Sequence, residues 1–250
     1  MKKFILFFLL FAGFQIQAQN FVYDHELVLM DSTFDQNEDL TIRYFIDYYK
    51  KIIDDSLQIV IGECQEDLNT FSPQSPLSNL ITDLLLEFGN DYWQGNGTKI
   101  DFSFMNFGGI RSMLPKGAIK IANIFTILPF ENTVTLVRIN GKNLKEVLTR
   151  FTEYNSLPAS GLEIIFRNNR FISATVNQKA IIDEQEYIFI TNSYVAHDGE
   201  EILKKSFFTE IIETEISVRD AIIFQIKKHT QNGEILDAKI DNRVIVEPTR

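Results

Sequence analysis

The spacing of apolar residues along the chain predicts a mixture of helices and strands. Apolar residues at helical spacing over residues 40–56, with charged residues between them, indicate an amphipathic helix. A second helix is predicted over residues 76–92, because Ser75 can cap its first turn and proline fits the first helical position. Shorter apolar or alternating runs indicate strands. The predicted strands are residues 58–62, 100–104, 133–139, 162–166, 171–176, 187–191 and 244–246.

The order of these elements favours an α+β fold with a mixed β-sheet and packed helices. Two further helices are predicted, over residues 144–151 and 217–229, and Asn140 with Gly141 reads as a turn before the first of them. Helices and hairpin-spaced strands are intermixed along the chain rather than segregated. Neither a repeat nor a low-complexity linker interrupts the sequence. One domain over residues 40–250 is therefore expected.

The first 18 residues have the pattern of a secretory signal peptide. Lys2 and Lys3 precede an uncharged apolar run, and a polar stretch then leads to Ala18. A membrane anchor is the alternative, but the run is much shorter than the roughly 20 residues that span a bilayer. We expect cleavage after Ala18, export to the periplasm or the outside, and an extended lead-in over residues 19–39. After removal of the signal, no membrane span is expected.

Composition and charge argue against several kinds of function and site. The chain has 250 residues and a formal net charge of −10, which disfavours binding to duplex nucleic acid. The single cysteine, Cys64, allows no internal disulfide. The three histidines, His25, His197 and His229, are far apart in sequence, which argues against a multi-histidine metal site.

Four polar stretches carry candidate chemistry, and each also has an ordinary structural interpretation. Residues 106–111 place two glycines and Arg111 after a strand, either as a ligand-binding turn or as a simple turn with a solvated arginine. Residues 127–132 offer Phe130 after a proline, although core packing is the default for any one of the 22 phenylalanines. Residues 191–201 leave the end of a strand as a polar loop, and residues 75–83 form a capped helix start.

Taken together, these stretches resemble the C-terminal domain of the 5'-nucleotidase family, which includes UDP-sugar hydrolases and 2',3'-cyclic phosphodiesterases. The family pattern has a Glu-Ser-x-x-Gly-Asn-Leu-x-x-Asp helix start, Asn-x-Gly-Gly-Ile-Arg, Leu-Pro-Phe-x-Asn, an x-Gly-x-x-Leu turn and Asn-x-Tyr/Phe-x-Ala-x-Gly-Gly-Asp-Gly. The counterparts here are residues 74–83, 106–111, 128–132, Gly141 with Leu144, and 192–201. The resemblance covers residues 40–246 and supports the predicted α+β fold.

The resemblance implies a site for a nucleoside or nucleotide. By it, Phe130 and Tyr194 match two aromatic residues that hold the base between them. Asn106 and Asn132 match asparagines that hydrogen-bond the base region. Arg111 matches an arginine that reaches the ribose or the phosphate. Glu200 stands where an aspartate of the family binds the ribose hydroxyls.

The sequence also departs from the family pattern at defined positions. No arginine stands over residues 71–73, where the family has a second one. Gln74 replaces a glutamate and Ser78 a glycine of the helix-start motif. The last motif reads Asp-Gly-Glu-Glu over residues 198–201 in place of Gly-Gly-Asp-Gly.

The metal-binding motifs of the family's separate N-terminal metallophosphatase domain are missing from the sequence: the patterns Asp-x-His, Gly-Asn-His-Asp/Glu and Gly-His-x-His do not occur. Such a centre needs clustered ligands for two metals. We therefore expect no catalytic residue, metal or cofactor in this chain, and a binding role in nucleotide catabolism beside a separately encoded metallophosphatase. The alternatives are a stand-alone nucleoside or nucleotide binder and a degenerate domain kept for protein–protein contact.

Overall fold

The structure is a computed structural model that describes residues 26–28, 32, 39–93, 97, 99–197 and 201–248. The described residues up to Tyr49 and those from Lys50 onward belong to two compact units. Helix α1, Leu40–Leu57, matches the first predicted helix. Asp39 begins it, because its Oδ1 accepts a hydrogen bond from the Thr41 amide at 2.8 Å. Apolar side chains of α1 from Leu40 to Tyr49 lie exposed, with Leu40 at 79%.

The remaining elements follow α1 along the chain, and they form the sheets of the described residues. The strands are β1 (Val60–Cys64), β2 (Phe102–Phe104), β3 (Gly117–Lys120), β4 (Thr133–Asn140), β5 (Ala159–Ser160), β6 (Leu162–Arg167), β7 (Arg170–Val176), β8 (Lys179–Ala180), β9 (Glu186–Asn192), β10 (Phe208–Ser217) and β11 (Val244–Glu247). The helices are α2 (Pro76–Trp93), α3 (Ile121–Ile127), α4 (Gly141–Thr149), α5 (Ser193–Ala196) and α6 (Val218–Gln231). Two short 3-10 turns cover Phe107–Gly109 and Lys205–Phe207.

The central sheet has five strands in the order β10-β4-β9-β2-β5. Strand β9 is antiparallel to β4 and parallel to β2, so the sheet is mixed. Smaller sheets are formed by β1 with β3 and by β11, β6, β7 and β8. The predicted α+β fold with a mixed sheet and packed helices is confirmed.

Two hydrophobic cores lie on opposite faces of the central sheet. Alternation along β4 divides its side chains: Val134 and Leu136 belong to one core, and Val137 and Ile139 belong to the other. Helices α2, α3 and α6 contribute to the first core. Helix α4 and strands β6 and β7 contribute to the second, which is rich in buried phenylalanine. The sheet is therefore fixed from both faces, and the ends of its strands have defined positions.

The start of α2 confirms the predicted cap. Ser75 Oγ accepts from the Ser78 amide at 3.2 Å, and the Ser78 hydroxyl donates to the Ser75 carbonyl at 3.0 Å. Gln74 is buried and donates from Nε2 to Asp241 Oδ1 at 2.7 Å. The residues that replace the family glutamate and glycine here therefore make structural contacts.

Two local predictions were wrong. The strand predicted over residues 58–62 is β1, which begins and ends two residues later, so Gly62 lies inside the strand rather than at its end. A Cβ at Gly62 would lie 2.8 Å from Ile226 Cγ2, so the glycine allows α6 to pack close to β1. Asn140 and Gly141 form no turn: Asn140 Oδ1 accepts from the Asn143 amide at 2.8 Å and caps α4, which starts at Gly141.

Candidate functional site

The predicted aromatic pair is carried by two loops at the same end of the central sheet. Strand β4 is antiparallel to β9, with Val134 opposite Asn192, so the start of β4 lies beside the end of β9. The Thr133 amide donates to Ser193 Oγ at 3.1 Å, which joins the two loops directly. Residues 128–132 and 193–197 are therefore neighbours in space, as the resemblance requires.

A third loop, residues 105–111, reaches the same end. It follows β2, which runs parallel to β9 and therefore ends at the same side of the sheet. Asn192 Nδ2 donates to Asn106 Oδ1 at 2.9 Å, and the Arg111 amide donates to the Ile127 carbonyl at 2.8 Å. Residues 105–111, 128–132 and 193–197 are hereafter called the three-loop site.

Asn106 is a buried part of this site. It is 7% exposed, and its side-chain oxygen is engaged by Asn192. A Cβ at Gly109 would lie 2.8 Å from Asn106 Oδ1, so the second glycine of the pair makes room for the amide. Gly109 thus serves the packing of Asn106 as well as the turn. Its predicted contact with a base remains a prediction.

The predicted aromatic pair differs from the core phenylalanines in exposure. Phe130 is 48% exposed and Tyr194 is 46% exposed, whereas Phe102, Phe104 and Phe189 are fully buried. Tyr194 lies on α5, whose Val195 and Ala196 are buried. The rings are therefore available to a ligand, and their role as a pair around a base stays a prediction.

Asn132 and Arg111 complete the polar part of the site that is described. Asn132 is half-buried, and its carbonyl accepts from the Val218 amide at 2.9 Å, which ties its loop to α6. Arg111 is exposed, and its Nη1 lies 3.5 Å from the Gly108 carbonyl. An exposed guanidinium beside two aromatic loops can bind an anionic or hydroxyl-rich group.

The loop that follows β9 is described only as far as His197. Its Nε2 lies 2.8 Å from Glu213 Oε1 of β10, so this histidine pairs with a neighbouring strand. Glu200, predicted to bind ribose hydroxyls, lies outside the described residues together with Asp198 and Gly199.

Arg219 contacts the Phe130 loop and was missed by sequence reasoning. Its Nη2 donates to Glu131 Oε1 at 2.7 Å and its Nη1 to the Leu128 carbonyl at 3.2 Å. The residue is 7% exposed. A signal was present, because a positive charge in the first turn of a helix opposes the helix dipole and is unusual there.

The other polar cluster of note lies between α2 and α6, outside the three loops. A cavity of about 500 Å³ is lined there by Glu87, Asp91, Gln225 and His229, among others. Across residues 26–28, 32, 39–93, 97, 99–197 and 201–248, no cluster of three or more His, Cys, Asp or Glu side chains is arranged to hold a metal ion. Within the same ranges, no helix has the length and hydrophobicity needed to cross a membrane.

The fold and the three-loop site together define an α+β domain with polar and aromatic loops gathered at one sheet end. The family model described as 5'-nucleotidase, C-terminal domain, matches residues 60–205. This match covers more than half of the chain, and the chain belongs to the family of 5'-nucleotidase C-terminal domains.

Known relatives show the same domain within longer proteins. Endonuclease YhcR of Bacillus subtilis (strain 168) is 32% identical over 113 residues, which is 44% of this chain and 8% of the relative. An apyrase of Tabanus yao is 30% identical over 131 residues, which is 44% of this chain and 23% of the relative. The solved 5'-nucleotidase precursor from Thermus thermophilus has a TM-score of 0.68 at 24% identity, covering 84% of this chain and 44% of that chain. The chain spans less than half the length of each of these proteins.

Proposed function

We propose that the three-loop site binds the nucleoside part of a nucleotide, as the substrate-binding domain of a 5'-nucleotidase-type hydrolase. One observation carries the proposal: the register of β4 and β9 brings two half-exposed rings, Phe130 and Tyr194, to the same end of the sheet. Base–aromatic stacking contributes roughly 1–3 kcal/mol per base and suits any base, since each has a π-face. Aromatic rings on polar loops are therefore suited to a nucleoside.

The polar groups of the site fit the rest of such a ligand. The exposed guanidinium of Arg111 is a donor fork for a phosphate or for paired hydroxyls. In this proposal Asn106 and Asn132 lie on the base side, and Glu200 accepts hydrogen bonds from the sugar. The buried Asn106–Asn192 contact of 2.9 Å would hold the first loop in place while the ligand binds.

The proposal extends to a catalytic partner. A phosphoric monoester hydrolase of this family type needs a two-metal centre, and the described residues hold no cluster of three metal-ligating side chains. The relatives are much longer than this chain, which spans 44% of the Thermus thermophilus protein. Because the family resemblance implies hydrolysis by a separate metallophosphatase domain with two metals, we propose that this chain works with a metallophosphatase supplied by another chain. A neighbouring gene for a metallophosphatase without a C-terminal domain of its own would support this pairing.

Calorimetric titration of adenosine and AMP tests the binding site. We expect Phe130→Ala and Tyr194→Ala each to weaken binding by roughly 5- to 150-fold, because each removes one stacking face. Their melting temperatures should change little, since both rings are half-exposed, whereas losing a core ring costs roughly 3–5 kcal/mol of stability. Phe224→Ala and Tyr154→Ala are matched controls, because these rings are 54% and 78% exposed outside the three loops.

The outcomes separate the proposed function from its alternatives. Equal losses of affinity in the control variants, or melting far below the parent in the site variants, would contradict the stacking pair. If the parent chain binds neither adenosine nor AMP, nucleoside binding by this chain alone is wrong, and the alternatives are binding that requires the metallophosphatase partner and a degenerate domain kept for protein–protein contact. Binding together with the lack of a neighbouring metallophosphatase gene would favour the stand-alone binder.

A further inference from the structure

The loop that carries Phe130 is held at both ends by backbone hydrogen bonds. At its start, the Leu128 amide donates to the Ile124 carbonyl at 2.8 Å. At its end, the Asn132 carbonyl accepts from the Val218 amide at 2.9 Å. Between these points lie Pro129, which has no backbone N–H, and Phe130, whose ring is half-exposed. The conformation of the ring-bearing segment therefore depends on side-chain contacts.

Arg219 supplies such contacts on both sides of Phe130. Its guanidinium donates to the Leu128 carbonyl at 3.2 Å and to Glu131 Oε1 at 2.7 Å. Its central carbon lies 4.0 Å from the centroid of the Phe125 ring, at the end of the preceding helix. The carboxylate is on the surface, with the Glu131 side chain 84% exposed, while the Arg219 side chain is only 8% exposed. The buried Arg219 guanidinium thus contacts two residues of the surface loop 128–132.

This position is unfavourable for an arginine that serves stability alone. Burial removes the guanidinium from water, which is costly for a charged group. Arg219 lies in the first turn of α6, where the helix dipole disfavours a positive charge. Its Nε is also buried without a hydrogen-bond partner. An apolar residue at this place would avoid all three penalties, and it would not hold the Phe130 loop.

We infer that Arg219 is a positioning residue, which fixes the loop of residues 128–132 so that the Phe130 ring is already placed for stacking. This inference rests on the proposed nucleoside site. A ligand that meets an ordered ring does not have to order the loop on binding, and affinity rises accordingly. The planar fork of arginine contacts two acceptors at fixed angles, which a lysine ammonium does not reproduce.

A double-mutant cycle with Arg219→Lys tests the inference through its link to Phe130. We expect Arg219→Lys to weaken adenosine binding about tenfold, because the loop must then be ordered by the ligand. In the Phe130→Ala background the same substitution should change the dissociation constant little, since no ring remains to be placed. Glu131→Gln should fall between, because it removes the charge of one partner and leaves the Leu128 contact.

Arg243→Lys is the matched control. Arg243 is also a mostly buried, forked arginine, whose side chain is 15% exposed and which contacts Asp83 and Asp241 outside the three loops. The Arg243→Lys substitution should lower the melting temperature and leave the affinity for adenosine unchanged. Amide hydrogen exchange gives a ligand-free readout: exchange at the Thr133 amide, which donates to Ser193 Oγ, and at the Val218 amide, which donates to the Asn132 carbonyl, should accelerate in Arg219→Lys and stay at the parent rate in Arg243→Lys.

The possible results are distinct. Unchanged affinity and unchanged loop exchange in Arg219→Lys, or an equal loss of affinity in Arg243→Lys, would overturn the inference. So would a tenfold loss that persists in the Phe130→Ala background, because Arg219 would then act independently of the ring. If the parent chain does not bind adenosine, the proposed function fails, and loop exchange alone decides whether Arg219 holds the loop.

Discussion

At position 141, the choice of glycine is dictated by a neighbouring segment of the chain rather than by an unusual backbone conformation. It is the first residue of α4, and a Cβ built on it would lie 1.9 Å from the Ile182 carbonyl oxygen. That oxygen belongs to the backbone, so it cannot move aside as a flexible side chain would. The glycine of the family's x-Gly-x-x-Leu motif is therefore required by close approach of two backbone segments.

Gly141→Ala gives a test in which two effects have opposite signs. Helix propensity alone favours alanine by roughly 1 kcal/mol, whereas overpacking costs about 1–3 kcal/mol or more. The clash with Ile182 is severe, so we expect a lower free energy of unfolding, measured by urea denaturation. Gly108→Ala is the control, because its Cβ would meet Asn106 Nδ2 at an ordinary 3.6 Å. A stabilised Gly141→Ala variant would show that the loop at Ile182 moves away.

At this scale the sequence suggests candidate residues where they stand in motifs, and it does not reveal contacts between residues that are far apart along the chain. Phe130 and Tyr194 were identified because each stands in a recognisable stretch. Arg219 was missed because its partner Glu131 is 88 residues away, and nothing in the sequence couples the two. Asn192 and Asn106 both stand in motifs, but their mutual contact spans 86 residues and was missed for the same reason.

At the scale of elements, α2 and α6 are connected through a histidine with a carboxylate on each side. His229 Nε2 lies 2.7 Å from Glu87 Oε2, and its Nδ1 contacts Glu234. Partial burial favours the neutral ring, but the hydrogen bonds and charges of the two glutamates outweigh it and raise the pKa of His229 above its ordinary value of 6.5. Nearby, Lys228 and Gln225 both contact Asp91 and, despite its partial burial, lower the pKa of that carboxyl.

The raised pKa makes the α2–α6 contact sensitive to pH. Because the folded pKa of His229 exceeds the unfolded value, its contribution to stability is fully present below about pH 6.5 and is lost as pH rises through the folded pKa. We expect His229→Gln to lose stability at about pH 6 and to differ less from the parent at about pH 9, measured by urea unfolding. His197→Gln, which lies outside this contact, should keep the pH dependence due to His229. An equal deficit at both pH values would contradict the charge-dependent contact.

The sequence predicted the long periodic elements and missed those whose pattern is irregular. Helices α1, α2 and α6 and strands β4, β6, β7, β9 and β11 were found within a few residues, because each has a sustained apolar period or a clear cap. Strand β10 was not predicted: Ile211, Ile212 and Ile216 do not alternate with polar residues in steps of two. Helix α3 follows strand β3 directly, without a turn between them. The alternating pattern of the strand therefore runs into the helical pattern, and neither element was predicted.

For the whole molecule, we expect the purified chain to lack 5'-nucleotidase activity on its own. The described residues contain no cluster of three metal-ligating side chains, and the family chemistry needs two metals. Phosphate release from AMP with added manganese is the measurement, after removal of contaminating phosphatases. Turnover that remains with the pure chain would contradict the proposed dependence on a metallophosphatase.

Strand β10 also determines how the molecule behaves beside its own copies. Among the described residues it is the outer strand of the central sheet and pairs only with β4, and an unpaired strand edge of this kind is a template for another strand. Glu210, Glu213 and Glu215 lie along it, in a chain with a net charge of −10. Two such edges meeting in antiparallel fashion would bring like charges together, which opposes sheet extension. We therefore expect β10, the strand that its sequence pattern did not reveal, to resist pairing with a second copy of itself.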